Sequence, residues 1–548
     1  MKMLLQFILI LLPLTLSPQS LAPDIQQKLN AKIDSSSSGL APGVAVGIVQ
    51  NGKVVYEGFS GYANLEHQVK IDGKTRFNIA SCAKQFTALT ALMLTEEKKL
   101  SLQDDIRKHL PELYQELDRK ITIEQLITHS SGVRSYDNLL ALQGKTWWKI
   151  VYLNNHDVLK LLEKQRSLDF NPGTAFNYSN SNYVLLTEIV GRSVKQDFKL
   201  FSDTLFQSLN MPATSYNNDI GVVLPNKARP YGNWGSWIEY PYVTEVIGDG
   251  ALFSTLEDLL NWEILLQSGK SKVLSAELIN KSQQRISGSA NPEYGYGLEF
   301  GAYRGMDYRY HDGSTGAFRA SMLRFPDQNT AFVVLTNSGQ VNTNSLAKAC
   351  ADLVLDFTNY QAESYLARPK WTGKRATPDE LAGIYQSQEG AYIHIEPDDK
   401  DLIWRLYPYN PIRLILVEGN VYHFEGNKNV EVLFDQGKDA NFTVYNPGTK
   451  PRTHPKRPDF KLNTKLLASL NGKYMNDETE TGMVIEYLAA DSLSIQINGN
   501  QQVGKLVYTD QIIAGSYSLR VDSKDGKPVT IYLGDSRLKN VAFQPIQP

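Results

Sequence analysis

The sequence of 548 residues predicts an α/β-type mixed fold followed by two small antiparallel β-barrel-like domains. Three observations carry that expectation. Strand-like runs stand near both ends of the first part of the chain, and helical and loop segments alternate between them. This pattern fits one mixed sheet with helices packed on it. After Arg368 long helical patterns nearly vanish and short alternating runs replace them. Finally, the tail resembles itself at a spacing of about 90 residues.

The first strands are read from residues 43–61. Val44 to Val49 forms one run, Asn51-Gly52 is a strong two-residue hairpin signal, and Val54-Val55-Tyr56 begins the return. From Ser81 to Glu97 the pattern turns helical, with Phe86, Leu89, Leu92 and Met93 on one face. Strands return at 321–325 and 331–336, and a helix is expected over about Thr343 to Phe357. These elements define a first domain, 23–368. Pro369, Gly373 and Pro378 then punctuate a linker. In the tail, Leu381 to Tyr385 resembles Leu470 to Tyr474, and Phe442 to Tyr445 resembles Val529 to Tyr532. Two units, 376–450 and 464–548, follow from these pairs. The Pro-, Lys- and Arg-rich stretch between them, Pro447 to Pro458, reads as a solvated linker.

Composition bounds the partners. Hydrophobic residues are 42% and charged residues 21%, ordinary for a globular protein with a sizeable core. Lys plus Arg number 56 against 58 Asp plus Glu, a net charge of −2, so neither nucleic acid nor an anionic membrane surface is expected as a partner. Two cysteines exclude a disulfide scaffold. Lys2 followed by the apolar run Leu4 to Leu16 is shorter than the ~20 residues a membrane helix needs. It reads as a secretory signal, residues 1–22, with Ser20-Leu21-Ala22 as the cleavage pattern. The expectation is export to the periplasm or beyond, with no integral membrane segment after signal removal.

Three motifs carry chemistry. In Ser81-Cys82-Ala83-Lys84 the serine and lysine share a helical face, so Lys84 can reach the Ser81 hydroxyl. A serine needs a neighbouring base to become a nucleophile, and a lysine in a dry pocket can be that base. Tyr178-Ser179-Asn180 follows a Pro-Gly turn. A tyrosine there can move a proton if a nearby cation lowers its pKa from ~10, and Asn180 offers a donor and an acceptor to a substrate amide. His311-Asp312-Gly313-Ser314-Thr315-Gly316 precedes a strand. Its glycines allow close approach of substrate, and its N–H groups can complete an oxyanion hole with that of Ser81.

In this order and spacing the three motifs resemble those of the penicillin-recognising serine hydrolases: class C β-lactamases, D-alanyl-D-alanine carboxypeptidases, D-aminopeptidases and related esterases. Leu126 to Gly132, Gly248 to Thr255 and Tyr294 to Leu298 resemble further family segments, and the likeness covers about residues 25–360. The resemblance implies a β-lactamase/transpeptidase-like antiparallel sheet with flanking helices and a helical subdomain. It implies Ser81 as nucleophile, Lys84 and Tyr178 sharing the proton, and Asn180, His311, Gly313 and Ser314 binding substrate. His311 stands where many members carry the Lys of Lys-Thr-Gly, so a fixed cation is missing. The His-x-Gly form resembles D-aminopeptidases and some esterases, and D-aminopeptidases also carry two C-terminal β-barrels.

The eight histidines show no metal-ligand spacing, so no metal or other cofactor is expected. His129 reads as structural. Cys82 reads as a small buried residue, and whether it pairs with Cys350 stays open. The sequons at Asn177 and Asn441 read as accidental. The expected function is an exported serine hydrolase forming an acyl-enzyme on an amide or ester, a small-molecule or peptide substrate: a D-amino acid peptide, a cell-wall fragment or a β-lactam-like compound. The rival is a catalytically idle peptidoglycan- or ligand-binding protein on the same fold. Oligomeric state is not legible.

Overall fold

The structure is a computed structural model that describes residues 21–146, 152–241, 243–360, 368–387, 390–436, 441–446, 451–460, 462–489, 491–524 and 527–546. The signal segment lies almost wholly outside the described residues. No described helix is long and apolar enough to cross a membrane.

A six-stranded sheet forms the base of the first domain. Its spatial order is Glu299–Tyr303, Met306–Thr315, Phe318–Phe325, Thr330–Thr336, Val44–Gln50 and Lys53–Ser60. Every neighbouring pair is antiparallel. The sheet is therefore not mixed in strand direction, because short turns join most neighbours and return the chain at once. Asn51 (φ 53°) and Gly52 (φ 73°) make one of those turns, the left-handed pair that matches strand twist. The strands read at 321–325 and 331–336 lie within two of these, and the helix expected to Phe357 ends at Val354.

Both faces of the sheet are covered. On one, helices Pro23–Asp34 and Thr343–Val354 bury Leu29, Ile33, Leu346 and Cys350 against Val44, Val46, Phe332 and Val334. On the other lies the larger core, where helix Leu256–Ser268 comes close enough that a Cβ on Gly47 would meet Leu260 at 2.6 Å. Cys82 and Cys350 belong to these two different cores and both are free thiols. A helical subdomain, including Ile123–Ile127, Tyr136–Leu142, Asn155–Glu163, Asn180–Val194 and Phe198–Ser208, stands over the second face. Within it, Thr122 caps its helix through a reciprocal pair with Gln125.

The tail forms two β-units. Nine strands between Gly383 and Arg457 make a nearly closed sheet, and eight strands from Gly472 to Pro545 make a closed barrel. The repeated Leu-x-Gly-x-Tyr-like pattern does the same work in each. Tyr385 donates to the Leu381 carbonyl (2.7 Å) and Tyr474 to that of Leu470 (2.9 Å), both rings buried. Gly383 (φ 145°) and Gly472 (φ 153°) let the chain leave its short helix and enter the sheet. The stretch read as a linker contributes structure. Arg452–His454 pairs with Phe442–Tyr445, and Lys456–Arg457 pairs with Gly383–Gln386, so this segment joins the two edges of the first unit. Proline and charge are tolerated there because these are short edge strands.

The closed barrel docks on the helical subdomain. Buried Arg134 pairs with Glu478 (2.7 Å) and with Asp169 (3.3 Å), and donates to the Asn540 carbonyl (3.2 Å). Lys539 N–H donates to Asp169 (2.7 Å), and Asn138 to Asp535 (3.0 Å). The barrel core is continuous with the larger core of the first domain.

Candidate active site

Ser81 lies in a single tight turn, Ala80–Ala83, that runs into the buried helix Lys84–Glu96. Ala80 takes a left-handed conformation (φ 48°), a strained state for a residue with a Cβ. Two features hold that turn. Asn78 accepts from the Ala80 N–H (2.9 Å). The Met306–Thr315 strand passes so close that a Cβ on Gly313 would lie 2.2 Å from the Ile79 carbonyl oxygen. The glycine is required for strand and turn to meet.

Lys84 is fully buried, and its amine makes three contacts: Ser81 Oγ at 3.0 Å, Asn180 Oδ1 at 2.9 Å and the Asp249 carbonyl at 2.7 Å. Burial pulls its pKa down to about 8, while the Asp249 carboxylate nearby opposes the fall. A neutral amine suits these partners. It donates twice, to Asn180 and Asp249, and its lone pair accepts the Ser81 proton. The site thus holds a base beside a hydroxyl.

Tyr178 is half-buried, and its hydroxyl bonds to Ser81. The sequence expectation of a cation-lowered phenol is corrected here. Burial drives its pKa well above the usual value, against smaller opposing effects of the Ser81 bond and of Arg537. Tyr178 is protonated, and Lys84 is the group beside Ser81 that is able to act as a base. Asn180 opens the Asn180–Val194 helix, and its amide Nδ2 donates to Asp137 (3.2 Å). Ser135 holds both, accepting from the Asn180 N–H (2.9 Å) and donating to Asp137.

His311 is buried, and a directional chain fixes it. Ser179 N–H donates to His129 Nδ1 (3.1 Å), so His129 Nε2 carries the proton and donates to Tyr294 (3.2 Å). The Tyr294 hydroxyl donates to His311 Nε2 (3.3 Å), and His311 Nδ1–H donates to the Asp312 carbonyl (2.7 Å). Burial and the Lys84 charge bring His311 to a pKa of about 3. The Asp312 carboxylate does not rescue its charge, because it accepts from Ser321 (2.6 Å) and from Asn344 (3.1 and 3.0 Å). His311 is a neutral strut that ties the strand to the Tyr178 loop, and it offers substrate no positive charge. His129, read as structural, is the other end of that strut.

These residues line one cleft of about 1140 Å³, which Ser81, Tyr178, Asn180, His311, Gly313 and Ser314 all face. Lys84 sits under it. Sequence reasoning missed Asp137, Tyr136 and Arg537 on its walls. Asp249 lies in the Gly248 to Thr255 segment, where the sequence alone gives it no role. It accepts from Tyr136 (3.0 Å), and burial raises its pKa to about 6. Among the described residues no cluster of His, Cys, Asp or Glu is suited to hold a metal ion.

A profile of the family described as Beta-lactamase matches residues 27–355, more than half of the chain and the part that carries this cleft. The chain belongs to the Beta-lactamase family. It is a serine hydrolase of the penicillin-recognising class, and the family's fold accounts for the sheet and the helical subdomain. Among curated proteins, Protein flp of Staphylococcus aureus (strain MRSA252) is 29% identical over 63% of this chain and 69% of its own length. The D-aminopeptidase of Cereibacter sphaeroides is 25% identical over 81% of both chains. Among solved structures, the octameric penicillin-binding protein homologue from Pyrococcus abyssi shares the fold at TM-score 0.54. It is 22% identical and covers 79% of this chain and 99% of its own. The penicillin-binding protein of Bacillus halodurans does so at 0.52, with 23% identity, over 60% of this chain and 99% of its own.

Proposed function

We propose that the protein is an exported hydrolase that forms an acyl-enzyme at Ser81 on amide or ester substrates, D-amino acid peptides foremost. The observation that carries this is the buried Lys84 amine, 3.0 Å from Ser81 Oγ and poised to be neutral near pH 8. Neutral Lys84 takes the Ser81 proton as Oγ bonds to the substrate carbonyl carbon. The carbonyl π pair moves onto oxygen, which faces the Ser81 and Ser314 N–H groups. Collapse expels the leaving amine or alkoxide, which takes the proton from Lys84 by way of Tyr178. Water then hydrolyses the acyl-Ser81 ester by the same proton route in reverse. Asn180 orients the substrate amide.

The D-peptide choice is supported by the D-aminopeptidase relative, whose match spans 81% of both chains. Neutral His311 also weakens any reading that needs a cation there, as a carboxypeptidase or β-lactamase would. Export rests on the apolar run Leu4 to Leu16. The test is turnover of D- and L-aminoacyl p-nitroanilides by the whole protein. We expect the D forms to be preferred and Ser81→Ala to abolish hydrolysis. Full activity in a folded Ser81→Ala protein would end this reading.

A further inference from the structure

The second barrel reaches into the cleft. A loop of this barrel, after the strand Lys527–Gly534, brings Arg537 to the cleft wall. Its guanidinium lies 4.9 Å from the centre of the Tyr178 ring and pairs with Asp137 at 3.7 Å. Asp137 is the residue that holds Asn180. The loop itself is anchored by its backbone. Asn177 donates to the Arg537 carbonyl at 2.5 Å, and Asp535 accepts from the N–H of Arg537 and of Leu538, each at 2.7 Å. Arg537 is thus placed firmly, while its side chain keeps 41% of its surface exposed.

Four cations line or underlie the cleft among the described residues. Lys84 is committed to Ser81, Asn180 and Asp249. Arg319 donates to the Gly316 and Phe318 carbonyls, both at 2.7 Å. Lys227 is exposed, and its amine stands 5.3 Å from the centre of the Phe253 ring. Arg319 keeps Nη2 and Nε besides, but of the three cations other than Lys84 it is Arg537 that stands against Tyr178 and pairs with the Asp137 that holds Asn180, with an edge to spare. A guanidinium has five N–H donors, and a single 3.7 Å pair with Asp137 leaves most of them for another acceptor. Its planar fork matches a carboxylate.

We propose that the second barrel is part of the active site, and that Arg537 reads a carboxylate on the acyl portion of the substrate. Its place beside Tyr178 and Asn180 puts it on the side where the substrate amide is held. It supplies, from 360 residues beyond Asn177 in sequence, the positive charge that His311 does not. The substrates favoured are acidic acyl groups, such as a D-peptide whose acyl residue carries a free side-chain carboxylate near the scissile bond. This rests on the Ser81 reading for the place of the acyl group.

The test uses binding, so that it stands apart from turnover. Glutaric acid monoanilide and its methyl ester are titrated calorimetrically into full-length Ser81→Ala protein. The free acid is expected to bind at least about tenfold more tightly. Adding Arg537→Gln should bring the ratio near one, and Arg537→Lys should restore part of it. Thermal melts check that the barrel stays docked in each variant. Equal binding of acid and ester, no detectable binding of the acid, or a ratio that survives Arg537→Gln and falls with Lys227→Gln would each overturn the proposal. Failure of the Ser81 reading would appear separately, as wild-type hydrolysis of p-nitroanilides that does not need Ser81.

Discussion

The pH dependence of acylation follows from one buried amine. Lys84 must be neutral to accept the Ser81 proton, and its pKa is about 8. The deprotonated fraction is then about 1% at pH 6, about 10% at pH 7 and half at pH 8. On a neutral ester, kcat/KM should rise about fiftyfold between pH 6 and 8 and level off above pH 9. His311, with a pKa of about 3, adds no step in that range. Asp249, with a pKa of about 6, shapes the acid end, because protonating it removes a charge that favours charged Lys84. The perturbation that tests the cause is Asp249→Asn. Without the carboxylate, the ammonium loses a favourable partner and the rise should move to lower pH by roughly one unit. Stopped-flow release of p-nitrophenol across pH 5.5–10 measures both profiles. A flat profile, or one that moves to higher pH in Asp249→Asn, would refute Lys84 as the base.

Three further outcomes are expected. Gly313→Ala should cut kcat/KM by orders of magnitude, because its Cβ would lie 2.2 Å from the Ile79 carbonyl and push the strand off the Ser81 turn; steady-state kinetics on the folded variant check this. Lys84→Ala and Tyr178→Phe should each lower the acylation rate strongly, and the double variant should lose less than the product of the two, since they serve one proton route. Arg134→Met leaves Asp169 and Glu478 without their buried partner and should destabilise the protein by about 3–5 kcal/mol, read from chemical denaturation.

Ser81 and Lys84 were legible because a helix puts residues three apart on one face, and the contact is local. Tyr178 and Asn180 were legible as a motif, but the state of Tyr178 was not, since its burial is set by distant elements that pack around the loop. His311 shows the same limit. Its identity is in the sequence, yet its neutrality comes from burial and from the Lys84 charge, both set by elements distant in the chain. Arg537 gave no signal at all, because a barrel loop carries it and its backbone partner Asn177 is 360 residues away. In the fold, the hairpin at Asn51-Gly52 and the paired Tyr385 and Tyr474 could be read locally. Arg452 to Arg457 could not, since the proline and charge that suggest a linker also suit an edge strand.

The central claim is that Ser81 is the nucleophile of an acyl-enzyme. Its most direct test is to label the intact protein with a fluorophosphonate and map the adduct by peptide mass spectrometry. The account predicts one adduct, on Ser81, formed faster at pH 8.5 than at pH 6.5 and absent from Lys84→Ala on the same timescale. A stable adduct on another residue, with Ser81 unmodified in the folded protein, would contradict it.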